Sequence, residues 1–127
     1  MSEKILISNG EILDKFSILE LKKNKISDTD KLKNIENEML HLKITYSNII
    51  NKYNIFNLYN ELRQINELLW NIEDSIRLKE HKKEFDKEFI ELARSVYKTN
   101  DKRADVKKQI NHISSSEIIE EKSYEKY

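Results

Sequence analysis

Nineteen lysines and only four arginines supply the positive charge of this chain, and one of the arginines stands where a helix should be apolar. A guanidinium grips a carboxylate or a phosphate at two points, which an ammonium cannot do. Arg63, Arg77, Arg94 and Arg103 are therefore the cations whose chemistry is least replaceable. From Phe85 the sequence repeats in steps of four and three through Phe89, Leu92, Val96, Thr99, Arg103, Val106, Ile110 and Ile113, the spacing of one helical face. Seven of these nine positions are apolar, and Thr99 and Arg103 are the exceptions. Asn100, Arg103 and Lys107 fall on one side of that helix, continuous with its apolar side.

Two further interruptions have the same character. Lys23 stands in the seam Ile12, Phe16, Leu19, Ile26, and the stripe Asn66, Trp70, Glu73, Arg77 borders an apolar seam at spacings of four, three and four. Burying several charges costs several kcal/mol per ion unless partners satisfy them, an expense more easily understood at a ligand site than in a plain bundle. The chemistry expected is capture of an anionic small molecule, phosphorylated or nucleotide-like. In that arrangement Arg103, Lys107, Arg77 and Lys23 bind the charge and Asn100 orients it, while Glu73 or Asp101 serves as general base or magnesium ligand. Each residue also has a plainer reading. Glu73 and Arg77 form an i,i+4 pair worth about 0.3 kcal/mol on a surface, Arg103 can run along the seam to reach water, and Trp70 can edge a core.

Other motifs carry less. His41, His81 and His112 show no metal-ligand spacing, and there is no cysteine for disulfide, zinc–thiolate or thiol chemistry. The stretch GEILDK has a single glycine where a phosphate cradle needs several, although the amides after Gly10 offer an anion the positive end of a helix dipole. The serines of SSSE have no histidine at a fixed offset to act as base.

With no proline and one glycine in 127 residues, turns between strands have almost no material. The chain should be all-α, a four-helix bundle in a single domain spanning residues 1–127. Ser8 with Glu11 three residues on forms a capping box that opens the first helix near residue 9; it ends near Ile26, and Ser27 or Asp28 caps the second. The second helix carries Leu32, Ile35, Met39, Leu42, Tyr46, Ile49 and Tyr53, and after the turn NKYNIFN the third carries Leu58, Leu62, Ile65, Leu69, Ile72 and Ile76. Matched seams across a short connection predict an antiparallel hairpin of helices two and three. KEHKKEFD forms the next turn, and the fourth helix should break near KTND, with Asp101 capping a separate final segment, KRADVKKQIN. Without such a break Arg77 and Arg103 stand roughly 20 Å apart across a hairpin of helices three and four. Residues 1–8 and 114–127 are arms, the tail pairing with KILIS as a strand, docking, or remaining loose.

Twenty-three acidic residues balance twenty-three basic ones, which argues against a nucleic-acid partner. No apolar run reaches the ~18 residues of a membrane span, and the first ten residues lack a signal-peptide core. A soluble, cytoplasmic protein is expected. Helix one is apolar on two sides, Ile12, Phe16 and Leu19 on one and Ile18 and Leu21 on the other, which points to a homodimer.

The stretches SNGEILDKFSILELK, LWNIEDSIR, FIELARSVYKTNDKRADVKKQIN and EEKSY resemble a family of small proteins of bacteria and their viruses known as a domain of unknown function. The likeness covers roughly residues 5–124. It places the family's charged motifs on Glu11, Asp14, Lys15, Glu73, Asp74, Arg77, Arg94, Asn100, Asp101, Arg103 and Lys107. Two helical enzyme families offer analogies of architecture only. The helical chorismate mutases hold a dianion with cations projecting into a bundle, which is similar to Lys23, Arg77, Arg103 and Lys107, but their arginine-rich first helix is lacking. The helical nucleotide pyrophosphohydrolases hold magnesium with paired carboxylates, for which Glu73, Asp74 and Asp101 stand without that family's spaced glutamate pairs. Two functions follow from the residues: a polar pocket for an anionic small molecule, with catalysis as an option, or a non-enzymatic helical interaction module whose polar seam fixes register and partner.

Overall fold

The first turn of every helix but one is closed by a residue whose side chain prefers that task. In the computed structural model, which describes all 127 residues, α1 spans Asn9–Lys25, α2 Thr29–Tyr53, α3 Phe56–His81 and α4 Lys87–Ile113. Ser8 accepts from the Glu11 amide at 3.1 Å, Asp28 from Lys31 at 3.0 Å and Asp86 from Phe89 at 2.9 Å, each satisfying an amide the helix leaves unpaired. Helix α3 instead begins after Ile55, which is buried in the core. Its start is fixed by packing and by the left-handed Asn54 that ends α2. Because glycine is scarce, Lys83 and Ser115 take the left-handed conformation after α3 and α4. There the amides of Glu84 and Ser116 close six-residue turns onto the carbonyls of Lys79 and Asn111.

Helices α3 and α4 form an antiparallel hairpin, so that Ile65 and Leu68 face Thr99, Lys102 and Val106 along one cleft. At its turn the Lys79 ammonium is enclosed by Glu84 at 3.1 Å, Asp86 at 2.9 Å and Glu88 at 3.2 Å. Helix α1 is central: it packs against α2, α3 and α4, whereas α2 packs chiefly on α1 and only lightly on α3. The core gathers Leu13 and Phe16 of α1, Ile49 of α2, Ile55, Tyr59 and Leu62 around α3, and Val106 and Ile110 of α4. Phe16 stacks on Tyr46 with centroids 4.1 Å apart, and Tyr46 meets Tyr59 at 4.8 Å. The expected hairpin of the second and third helices is thus the lesser contact. The apolar seam of α2 is claimed by α1 and the shared core.

The predicted break in the fourth helix does not occur. Helix α4 runs unbroken through Lys98, Thr99, Asn100 and Asp101. Asn and Asp are weak helix formers by only a fraction of a kcal/mol, and here they lie on the outer side, while Thr99 and Val106 are buried on either flank. Packing of those neighbours overrides the local preference. The arms contain no strand, so the tail does not pair with KILIS. The tail docks along α4 through Lys108–Glu121 at 3.0 Å and a Tyr127 hydroxyl bond to Asp101 at 2.6 Å. No helix is long and apolar enough to cross a membrane.

Gly10 marks the closest approach of α1 to α4. A Cβ there would lie 2.6 Å from the Lys107 carbonyl oxygen and 3.0 Å from Asn111 Oδ1, and the first of these is backbone that cannot swing away. Gly10→Ala should therefore destabilise the protein by about 1–3 kcal/mol in urea unfolding, although alanine is the better helix former by roughly 1 kcal/mol. A stabilised variant would show that α1 and α4 stand further apart. A second expectation concerns Glu20, which accepts the Tyr59 hydroxyl bond. Burial raises its pKa above the ordinary 4.5, outweighing the opposing Arg63 charge. Its contribution to stability is present below the ordinary value and lost as pH rises through the raised one. Glu20→Gln keeps the acceptor without the charge, so its stability relative to wild type should increase as pH rises through the carboxylate range.

Candidate functional site

The partner of Arg103 is Asp14, a carboxylate with 1% of its side chain exposed at the centre of the bundle. The α1 turn carrying Gly10, Asp14 and Ser17 presents small and polar residues to α3 and α4 and sinks all three below the surface. Arg103 Nε donates to Asp14 Oδ1 at 3.0 Å and its terminal nitrogen donates to Oδ2, the two-pronged geometry that favours arginine over lysine. Asn66 of α3 donates to the same Oδ1 at 2.9 Å and to Ser17 Oγ at 2.8 Å, while the Ser17 hydroxyl donates to the Asp14 carbonyl at 2.7 Å. Three helices therefore meet at one carboxylate. Its hydrogen bonds push the already very high pKa of Arg103 higher still, against the opposing effect of partial burial.

Lys107 stands one turn further along α4. Its ammonium donates to Glu11 Oε2 at 2.7 Å and lies 3.7 Å from Asp14 Oδ2 and 3.5 Å from Glu120 of the tail. Glu120 in turn pairs with Lys122, which together with Lys107 holds it below the usual carboxylate range. The start of α1 is closed in the same way. The Asn9 amide donates to Ser116 Oγ at 3.1 Å, the Gly10 amide to Asn111 Oδ1 at 2.7 Å, and the Asn9 side chain to Ser114 Oγ at 2.8 Å. The Glu11 and Ile12 amides bond the Ser8 hydroxyl and carbonyl, so the amides that could have held an external anion at this helix start are occupied by the chain's own oxygens. No buried side-chain nitrogen or oxygen is left without a partner.

Some of the expected site residues come together and others do not. Asn100, Asp101, Arg103 and Lys107 line one small cleft of about 230 Å³ beneath the tail, with Ala104, Lys122 and Tyr124. Arg77 is eleven residues beyond Asn66 along α3, about 16 Å away at 1.5 Å per residue, 80% exposed and 3.7 Å from Glu73. Glu73 and Arg77 share with Arg103 only the walls of an open groove of about 330 Å³. Asp101, within the cleft, also accepts the Tyr127 hydroxyl of the tail, whereas Lys23 is exposed in the last turn of α1. With α4 unbroken, Asn100, Asp101 and Lys107 line a different cleft from Glu73 and Arg77, and Arg103 alone borders both. Nowhere do three histidine or acidic side chains gather to hold a metal ion. Asp14, Ser17 and Asn111 join the site without being among the expected site residues, although Asp14 is one of the charged motif positions. Gly10, Asp14 and Ser17 at spacings of four and three form a stripe of small polar residues, the available signal for a helix face meant to meet other polar groups closely.

Removing one member of a buried charge pair leaves the other uncompensated, at a cost of about 3–5 kcal/mol. Arg103→Leu should destabilise the protein by that amount in urea unfolding. The double variant Asp14→Leu, Arg103→Leu should recover most of the loss, because a matched apolar pair has no desolvation to offset. Arg103→Leu at wild-type stability would mean that Asp14 finds its compensation elsewhere.

No curated protein and no solved structure matches the chain. One family profile does, over residues 3–127, nearly the whole length through which Asp14, Asn66, Arg103 and Lys107 are distributed. The chain belongs to the family of unknown function DUF6165.

Proposed function

We propose that this protein is a non-enzymatic helical interaction module, whose polar seam fixes the packing of its own helices and whose open α1–α3 groove receives a second copy of the chain. The observation that carries this reading is the closure of the polar interior. Both cations of the polar interior already have a carboxylate: Arg103 has Asp14, and Lys107 has Glu11, Asp14 and Glu120. An external anion would have to displace a buried carboxylate from a bidentate arginine. That exchange costs several kcal/mol before any new contact is made. An anion pocket is therefore supported less well than a structural lock.

The groove has the opposite character. Ile18 and Leu21 of α1 and Leu69 and Trp70 of α3 line it, with Asn66 and Arg103 of the polar network and with Glu73, Asp74 and Arg77. The two apolar sides of α1 are largely accounted for by its three helical neighbours. Ile18 and Leu21, the side from which pairing was expected, remain partly accessible. A rim bearing both signs of charge suits a two-fold interface, in which the Arg77 of each copy can meet the acidic residues of the other.

Sedimentation equilibrium should show a reversible dimer, and the emission of Trp70, the single tryptophan, should shift to the red on dilution. Trp70→Glu should weaken association at least tenfold, about 1.4 kcal/mol, without loss of helicity. A concentration-independent monomer would overturn the pairing. Thermal stabilisation by phosphate esters, lost in Lys107→Ala, would return the anion pocket to first place.

A further inference from the structure

Three tyrosines converge where the tail crosses α4. Tyr97 projects from the helix with 41% of its surface exposed, and Tyr124 and Tyr127 come from the tail with 71% and 72% exposed. Tyrosines in a folded chain are ordinarily more buried than this. The rings of Tyr97 and Tyr127 stand nearly perpendicular at 74°, their centroids 5.0 Å apart, forming two walls of a corner. Together with Tyr124 and Val96 they bound an open cavity of about 400 Å³, and Asn100, Asp101 and Glu125 complete its lining.

The charges that line this cavity differ from those of the neighbouring cleft, where Arg103, Lys107 and Lys122 stand with Asp101 and Tyr124. The chain as a whole has as many cations as anions, yet no lysine or arginine lines this space. Earlier in the tail, Glu120 and Glu121 pair with lysines of α4. Asp101 and Glu125 form no ion pair; Asp101 accepts only the Tyr127 hydroxyl at 2.6 Å, a bond that also holds the tail ring in position. Two carboxylates without an ion-pair partner beside three aromatic rings attract a cation, and the rings decide which kind. A metal ion or a bare ammonium keeps its water, whereas a methylated ammonium presents an apolar shell with its charge spread over it, suited to the negative faces of aromatic rings.

We infer that Tyr97, Tyr124, Tyr127, Asp101 and Glu125 form a binding site for an alkylated ammonium group. The charge rests against the two carboxylates and the methyl groups against the rings. Such a group is carried by a free quaternary amine or by a methylated lysine side chain of a peptide, and both share this chemistry. The site shares no residue with the α1–α3 groove, so it stands or falls independently of the dimer.

Proton NMR titration of the full chain should follow the tyrosine ring resonances with choline, with the neutral alcohol in which carbon replaces its nitrogen, and with short peptides bearing trimethylated or unmodified lysine. Choline should shift the rings of Tyr97, Tyr124 and Tyr127, and the neutral alcohol should not. Tighter binding of the trimethylated peptide than of choline would assign the site to peptides, and the reverse order to a free amine. Glu125→Gln and Tyr97→Leu should each weaken binding about five-fold while leaving the melting temperature unchanged. Equal binding of the neutral alcohol, silence of the tyrosines toward every cation, or full affinity in both variants would overturn the assignment.

Discussion

A charge buried at the centre of a small helical bundle constrains everything around it, and here that charge belongs to Asp14. Its carboxylate is removed from water, a loss of several kcal/mol of hydration unless other groups replace it. Arg103 and Asn66 supply the replacement from α4 and α3, and Lys107 adds a second positive charge 3.7 Å away. A seam of leucine and isoleucine can slip along a neighbouring helix and still be buried. A carboxylate that must meet one guanidinium fork and one side-chain amide has a single acceptable register. The network selects one arrangement among the apolar packings open to the chain, and adds little net stability over an apolar pair of similar size. Its role is specification.

That constraint explains the division of labour among the helices. Because α1 carries Asp14, it must lie against both members of the α3–α4 hairpin, which leaves only its remaining side for α2. Its face toward α3 and α4 is therefore small and polar, Gly10 followed by Asp14 and Ser17, and at Gly10 the backbones of α1 and α4 approach so closely that a Cβ would lie 2.6 Å from the Lys107 carbonyl oxygen. The face toward α2 is aromatic, where Phe16 stacks on Tyr46. Glu20 continues the central helix toward Tyr59, a second polar contact made across the core by a residue of α1. The most buried helix of a bundle usually reads as the most apolar. This one reads as mixed because two of its neighbours reach it through polar groups.

Local features of the fold were legible because they depend on near neighbours in sequence. Ser8 and the pair Ser27 and Asp28 announced two helix starts, and the absence of proline with a single glycine argued against a sheet. The anomaly of Arg103 in an apolar seam was equally plain. What could not be read was its partner, since Asp14 is eighty-nine residues away and nothing in helical spacing selects one carboxylate over Glu73 or Asp101. The expected break at Asn100 and Asp101 failed for a related reason. Propensity differences of a few tenths of a kcal/mol were weighed alone, whereas burial of Thr99 and Val106 on the same helix outweighs them. The pairing of the second helix with the third was overestimated similarly. A seam shows that a helix has a partner, and only the three-dimensional packing shows that α1 is the main one.

The tail extends the same electrostatic argument to the surface. Lys107 touches carboxylates from two places, Glu11 and Asp14 of α1 and Glu120 of the tail, so one ammonium joins the buried network to the last segment of the chain. Ser116 is fixed at the start of α1 through the Asn9 amide, and Lys108 holds Glu121. By Glu121 the tail has been directed along α4 toward Asp101, where its tyrosines meet Tyr97. Each successive contact lies nearer to water, from a nearly unexposed carboxylate at Asp14 to half-exposed lysines and finally to open rings. The depth of each charge sets how firmly it is held: a buried pair is locked by the cost of separating it, and an exposed pair is worth less than about 1 kcal/mol. The end of the tail, and with it the tyrosine cavity, is therefore the part of this structure most easily reshaped by something that binds there, while Asp14 keeps the helices beneath it in place.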